Sequence, residues 1–385
     1  MRIVCVHQGY ELYGSDRAFI DSVVALREAW PHADIEVVLP HDGPICGPLR
    51  AFATRIVIEP LFILRRRRLA RLITTAPFRI MPALWRAARR MRAADLVYVN
   101  TVVVLDYLLA ARAFRRKTLV HVHEIPDGLK LQVFRRLLRW TRADLIFNSK
   151  AARAAYRLPA RHTQHVVYNG IAVPAPAEPS DYDGARPLRL LMLGRISRIK
   201  GQDLLIEALA LLPKAIAQRL EVRVVGNSFQ NDIAREAGLR EAVRVAGLDA
   251  VVRFEPFRED TAPLYRWADV VVVPSRLPES LGRVAIEAMA YGRPPLVARI
   301  GGLPEVVEDG VTGWVVPPND ANALARTIGD IVNEPDTWCG YGAAAQARFE
   351  AMFAARGIAR QFQAIVRARF DAGSDRRATI GLARV

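Results

Sequence analysis

Cysteine is scarce: Cys5, Cys46 and Cys339 are widely separated and odd in number, which excludes a disulfide framework and gives no metal-ligand spacing. All three are expected to serve as small buried hydrophobes. No apolar run approaches the roughly 20 residues that cross a bilayer. The opening MRIVCVHQ reads as a buried strand with no signal-peptide h-region, so a soluble, cytoplasmic protein is expected. A glycine-rich Gly-Lys-Ser/Thr run is missing, and no GxGxxG follows the first strand. That excludes a P-loop and a dinucleotide fingerprint. Acid is missing locally: residues 61–94 carry ten arginines and no Asp or Glu.

The chain is basic throughout, with 55 Lys and Arg against 39 Asp and Glu and a net charge of +16. In 61–94 the arginines alternate with Leu, Ile, Phe, Met and Trp, which gives a basic amphipathic surface segment, and FRRLLRWTR at 134–142 has the same character. Each basic residue near an anionic bilayer gains about 1 kcal/mol, so an anionic membrane surface is the expected partner. A solvated arginine face is the plainer alternative. Nucleic acid is not expected, because no recognition module accompanies the charge.

At 385 residues and 51% hydrophobic content the chain exceeds what one core holds, so two domains are expected. Short β-branched runs (RIVCVH, IEVVLP, DLVYVN, TLVHVH, DLIFNS, HVVYNG) alternate with helical stretches, the pattern of a parallel sheet covered on both faces. VPAPAEPSDYDGARP then interrupts the periodicity and reads as a linker. The pattern restarts with LRLLMLG, LEVRVVG, VVRFEP, ADVVVVP and PPLVAR. The expected boundaries are 1–173 for an N-terminal Rossmann-like domain, 174–187 for the linker, 188–355 for a C-terminal one, and 356–385 for a final helix and tail. Ligands of such sheets bind at the carboxyl ends of strands, so two doubly wound domains facing across a cleft would share one site.

The loops after those strands carry the chemistry. In LMLGRISRIKGQDLL a strand ends at Gly194, Arg195 and Lys200 lie in the loop, and a helix opens near Gly201. Glycine, a helix N-terminus and two cations together suit a diphosphate. In PSRLPESLGRVAIEAMAYG, Glu279 lies in a loop and Glu287 on the helix that begins near Gly282. Up to ~12 Å of helix rise separates them, too far to flank one scissile bond. They suit vicinal hydroxyls on different parts of one ligand: a sugar at Glu279 and a ribose at Glu287. The amides of Ser280, Leu281 and Gly282 at the helix start are candidates for contact between the two. The plainer alternative makes both acids ordinary surface charges.

GRISRIKG, PSRLPESLGRVAIEAMAYGRPPLVA and GGLPEVVEDGVTGWVV, in that order and spacing, resemble the donor-binding half of retaining GT-B glycosyltransferases of family GT4, Glu-x7-Glu motif included. The resemblance is strong over 188–317 and traceable in the N-terminal half. It implies a GT-B fold with a C-terminal helix crossing back to the N-terminal domain, which would bind the acceptor. It implies that Arg195 and Lys200 hold the donor diphosphate, Glu279 the sugar and Glu287 the ribose, with Gly301 and Gly302 closing the same site. In VHVHEIPD, His123 matches the family's active-site histidine; His121 is the alternative one repeat earlier. Gly14 in QGYELYGSDRAF matches a glycine-containing turn near the diphosphate or acceptor, and Asn100 and Thr101 are weaker acceptor-site candidates.

The implied reaction moves a hexosyl group from a UDP-, GDP- or dTDP-sugar to a hydroxyl of a glycan or polyprenyl-linked acceptor with retention. It needs no cofactor and no metal, since fixed cations and dipoles stabilise the leaving diphosphate and no DxD-type acidic cluster lies beside a strand end. Bacterial surface polysaccharide or glycolipid assembly, on the inner face of the membrane, is the expected setting. Leu281 stands where an aromatic is common, and Glu255 and Pro256 stand where a glycine is usual, which leaves the base open. A GT-B sugar-nucleotide epimerase and a non-catalytic membrane-associated relative are the alternatives; the intact Glu-x7-Glu block and the motif cations argue against them.

Overall fold

Ile3 and Cys5 of the first strand pack with Phe19 and Val23 on one side, while Val4 and Val6 pack with Ala87 and Met91 on the other. Both faces of the strand are therefore buried, which is why its sequence is almost continuously apolar. That strand, β1 (Arg2–Val6), belongs to a parallel sheet with β2 (Asp34–Leu39), β3 (Arg55–Ile58), β4 (Leu96–Val99), β5 (Thr118–Val122), β6 (Asp144–Phe147) and β7 (Gln164–Val166), in the order β3-β2-β1-β4-β5-β6-β7. A second parallel sheet holds β8 (Leu188–Leu193), β9 (Leu220–Val225), β10 (Val252–Glu255), β11 (Val270–Val273), β12 (Pro295–Ala298) and β13 (Trp314–Val316), in the order β10-β9-β8-β11-β12-β13. Each is a doubly wound arrangement in which the order reverses beside the first strand, so polar groups at the carboxyl ends of the central strands are the ones placed for ligands.

The structure is a computed structural model that describes every residue except 13, 65–68, 127, 174–176, 229–232 and 383–385. Two units emerge: Met1–Gly170 together with Ala355–Val385, and Ile171–Ala354. The terminal helix Ala355–Leu382 thus returns to the first unit, as the family resemblance implies. Phe362, 3% exposed, lies edge-on to Tyr98 with ring centroids 5.4 Å apart. Among the described residues no helix is long and apolar enough to cross a membrane.

Three sequence expectations meet a different arrangement. Residues 177–187 of the segment read as a linker (174–176 lie outside the described residues) fold onto the second unit: Tyr182 stacks on Trp338 at 5.7 Å, and Ser180 and Arg186 both bind Asp269, at 2.7 and 2.6 Å. Their low periodicity reflects side-chain anchoring in an irregular backbone rather than solvation. Strands β3 and β13, each at a sheet edge, have no counterpart among the runs read from sequence. Cys339 is exposed, whereas Cys5 and Cys46 are buried as expected.

Candidate functional site

In the second unit β8 ends at Leu193 and the loop 194–201 leads into the helix Gln202–Ala210, capped by Gly201. Gly201 has φ of 79°, and a Cβ there would collide with the carbonyl oxygen of Pro274. Only glycine therefore lets this loop lie against the end of β11. The close approach has a chemical result: Lys200 Nζ reaches Glu279 Oε2 at 2.7 Å, and Ser275 donates to the other carboxylate oxygen. Burial pushes the Glu279 carboxyl up, but the charge and hydrogen bond of Lys200 and the hydroxyl of Ser275 outweigh it and hold the group below the usual carboxylate range. Gly301, at φ of 60°, lies against the backbone of Glu279, where a side chain would strike the Glu279 carbonyl, and the amide of Gly302 donates to that carbonyl at 2.8 Å.

Gly282 caps the helix Arg283–Ala290, which carries Glu287 one turn beyond Arg283. Arg283 Nε donates to Glu287 Oε1 at 2.7 Å, and the Tyr265 hydroxyl donates to Oε2 at 2.7 Å. Burial, then the neighbouring Glu287 charge, pushes the Tyr265 phenol well above its ordinary value, so it stays a donor. Both acids are thus fixed in orientation and partly exposed, 14% for Glu279 and 16% for Glu287, which suits them to accept from ligand hydroxyls. Arg195 is exposed, with its carbonyl held by Gln202 at 3.0 Å. Leu281 has a buried side chain, so its expected role rests on its amide alone. Lys200, assigned from sequence to a diphosphate, is here the partner of Glu279; sequence reasoning did not foresee that pairing, nor the roles of Ser275, Tyr265 and Arg283. Arg283 was findable, since a cation four residues before Glu287 on a helix is a recognised pairing distance.

The first unit brings a different set together at the carboxyl edge of its sheet. Asn100, just past β4, is central: its Oδ1 accepts from His123 Nε2 at 2.8 Å and from the Tyr98 hydroxyl at 2.7 Å, and its Nδ2 donates to His7 Nδ1 at 3.1 Å. His7 Nε2 in turn meets Asp16 Oδ1 at 2.7 Å. Because an amide offers one accepting and one donating end, Asn100 sets both tautomers: His123 carries its proton on Nε2 and His7 donates to Asp16. His123 Nδ1 is buried with no protein partner. Burial, together with nearby His121 and His7, holds the His123 imidazole well below its usual range; burial alone takes His121 down to about 3. Both histidines are therefore neutral near pH 7, and their rings lie 4.0 Å apart, on one side of the strand. Thr101 donates to Glu124 at 2.6 Å, and the His123 amide reaches the same carboxylate at 3.1 Å. Burial pushes the Glu124 carboxyl up against those hydrogen bonds. Gly14 opens the helix Gly14–Ala29 and is exposed; Asp16, two residues on, is what joins the network. His7, Asp16, Tyr98 and Glu124 went unnamed at the sequence level, since nothing local marks residues that meet only when the ends of β1, β4 and β5 and the helix Gly14–Ala29 are brought together.

Two doubly wound parallel-sheet units, with a terminal helix returned to the first, constitute the GT-B fold of glycosyltransferases. Residues 184–348 match the family model described as glycosyl transferases group 1. A D-inositol 3-phosphate glycosyltransferase of Streptomyces scabiei is 42% identical over 165 residues, which cover 42% of this chain and 37% of that protein. The match thus spans little more than a third of that relative's length. HepE of Anabaena, solved in complex with UDP, superposes with a TM-score of 0.79 at 26% identity over 96% of this chain and 100% of its own. A sucrose-phosphate synthase of Thermosynechococcus elongatus shares the fold at a TM-score of 0.73 and 23% identity, over 96% of this chain and 99% of its own.

Proposed function

We propose that the protein is a retaining glycosyltransferase that moves a sugar from a nucleotide diphosphate sugar to a hydroxyl of a glycan or lipid-linked acceptor. The observation that carries this reading is the pair of oriented carboxylates, Glu279 on Lys200 and Ser275, Glu287 on Arg283 and Tyr265, inside the stretch that matches the family model. Glu279 accepts from the donor sugar and Glu287 from the ribose. Lys200 and Arg195 stabilise the charge that grows on the leaving diphosphate, and the fixed cations let this happen without a metal. With the acids engaged in binding, no carboxylate nucleophile is assigned; the leaving diphosphate takes the acceptor's proton on the face from which it departs. His123, neutral and bare at Nδ1, accepts a hydrogen bond from a sugar hydroxyl.

UDP is the first nucleotide to try, because HepE was solved with it. Bacterial surface polysaccharide or glycolipid assembly is the setting we propose. The acceptor side, in the first unit, would meet an anionic membrane surface: Met81 and Trp85 are each 64% exposed, and Arg89 stacks on Trp85 at 5.6 Å. Arg65, Arg66, Arg67 and Arg68, the core of the arginine run, lie outside the described residues. Salt-sensitive sedimentation with anionic vesicles, lost on replacing Trp85 and Arg89, tests that partner; equal sedimentation of wild type and variant would remove it.

Thermal-shift titration with UDP, GDP and dTDP and their sugars tests the activity class, since a ligand of the folded state raises the unfolding temperature. Glu287→Gln is expected to weaken free nucleotide more than Glu279→Gln, and Glu279→Gln to harm sugar recognition more. Identical effects, or no stabilisation by any nucleotide, would sink the reading, and anomeric inversion in the product would sink retention.

A further inference from the structure

At the amino edge of the first unit's sheet, opposite the His123 network, a hollow of about 650 Å³ opens between the helix Lys150–Tyr156 and β7. Arg153, Arg157, His162, Thr163 and Gln164 line it. Arg139 lies beside it, its Nη2 donating to the Arg157 carbonyl at 3.2 Å, and Arg139, Arg142 and Arg161 are close enough for their charge to act on His162. Among the described residues no carboxylate pairs with any of these five arginines, and Asp144, the acid beside Arg142 in sequence, is taken by Arg369. His162 is 6% exposed and its Nε2 has no protein partner.

The backbone supplies an independent observation. Among the described residues only three non-glycine positions have positive φ, and two of them are Arg157, at 44°, and Arg142, at 50°, on the connections that flank the hollow. Cations at the carboxyl ends of helices are favoured by the helix dipole, which accounts for Arg139 and Arg153. It gives no reason for arginine in two left-handed positions that glycine or asparagine would occupy at lower cost. Strained residues held against their own preference gather where a ligand is bound.

We infer that this hollow binds a phosphate group, presented either on a soluble phosphate ester or on a lipid headgroup. Planar guanidinium forks match phosphate oxygens two at a time, and a neutral His162 protonated at Nε2 donates to a further oxygen. Burial first, then Arg161, Arg139 and Arg142, pushes the His162 imidazole below its usual range, so the field that discourages a cation there favours an anion. None of the residues that hold the donor in the proposed transfer lines this hollow: those carboxylates and cations belong to the other unit.

The test follows the His162 ring resonance by NMR while inorganic phosphate is added to the full chain, and in parallel while phosphatidylcholine vesicles with and without phosphatidic acid are added. The variants are the double substitution Arg142→Gly with Arg157→Gly, and Arg153→Gln. Glycine relieves the left-handed backbone, so the double variant is expected to unfold at the same temperature or higher while binding phosphate at least roughly tenfold more weakly. Arg153→Gln, at an exposed helix position, weakens binding without touching either turn. A saturable His162 shift with inorganic phosphate, reduced in both variants, assigns the site to soluble phosphate; a shift only with phosphatidic acid vesicles, similarly reduced, assigns it to the headgroup. No shift with either probe, or undiminished binding by the double variant, overturns the inference.

Discussion

In the second unit each candidate carboxylate faces a cation, Glu279 on Lys200 and Glu287 on Arg283, whereas in the first unit Asn100 holds His7 and His123 in place by hydrogen bonds, with His121 beside them and both His121 and His123 kept neutral by burial. The contrast follows from exposure. Glu279 and Glu287 keep 14% and 16% of their side chains open, so paired charges remain affordable in water's reach. His121 and His123 are 4% and 8% exposed, where an uncompensated charge is disfavoured and the proton positions must be set by neutral partners. The charged site can meet a diphosphate by exchanging ion pairs; the neutral one can offer a fixed acceptor to a hydroxyl.

If the units differ in this way, they should fail differently. The largest effect is expected from Phe362→Ala, which removes a buried ring supplied to the first unit by the terminal helix and should cost about 3–5 kcal/mol. Hydrogen exchange should then speed up in β1 and β4 while β8 and β9 keep their protection; equal loss in both sheets would show that the units do not unfold separately.

Lys200→Ala comes next. Loss of one charge-assisted contact to a leaving diphosphate should lower turnover at least about tenfold, ~1.4 kcal/mol, and near-normal kinetics would remove Lys200 from the site. It also changes the acid response. In the wild type the Glu279 carboxyl is held below its ordinary value, so its stabilising contribution is present above the ordinary carboxylate range and disappears as pH falls through the depressed value. Without Lys200 burial goes largely unopposed, the carboxyl rises, and unfolding should become less sensitive to acid. An unchanged pH profile of the unfolding temperature would contradict the pairing.

The effect that is smallest near pH 7, and grows only in acid, belongs to the neutral network. His121 is lowered from 6.5 to about 3, so the unfolded chain binds a proton across that window that the folded one does not, and stability falls as pH drops from 6.5 towards 3. His121→Gln should remove up to one proton from that dependence, a slope of at most about 1.4 kcal/mol per pH unit. Titration calorimetry or urea unfolding across the window measures it; an unaltered slope would mean that His121 is charged in the folded state.

The second unit was the more legible of the two. Apart from Tyr265, the residues of its site fall in three continuous stretches, 194–201, 274–291 and 301–302, and glycine, lysine and glutamate there announce themselves by spacing. Even so, no sequence pattern joined Lys200 to Glu279, because their meeting depends on Gly201 pressing against Pro274 from a neighbouring strand end. In the first unit His123 was legible by its place after β5. Of its network, Asn100 was legible only as a weaker acceptor-site candidate and the rest was not: His7 follows β1, Asp16 lies on the helix Gly14–Ala29, and Tyr98 sits within β4.

By itself the sequence determined what repeats locally: the two strand-and-helix series, because apolar residues on both faces of a strand can be satisfied only under two layers of helix, and the place of Glu287 one turn after Arg283, because a helix fixes the rise between its residues. Tertiary structure alone decided the segment 177–187, the proton positions on His7 and His123, and the arginines gathered at the amino edge of the first sheet. Each depends on groups far apart in the chain coming within hydrogen-bond or Coulomb reach, and that distance is set by sheet order and crossover, which the local alternation of residues does not encode.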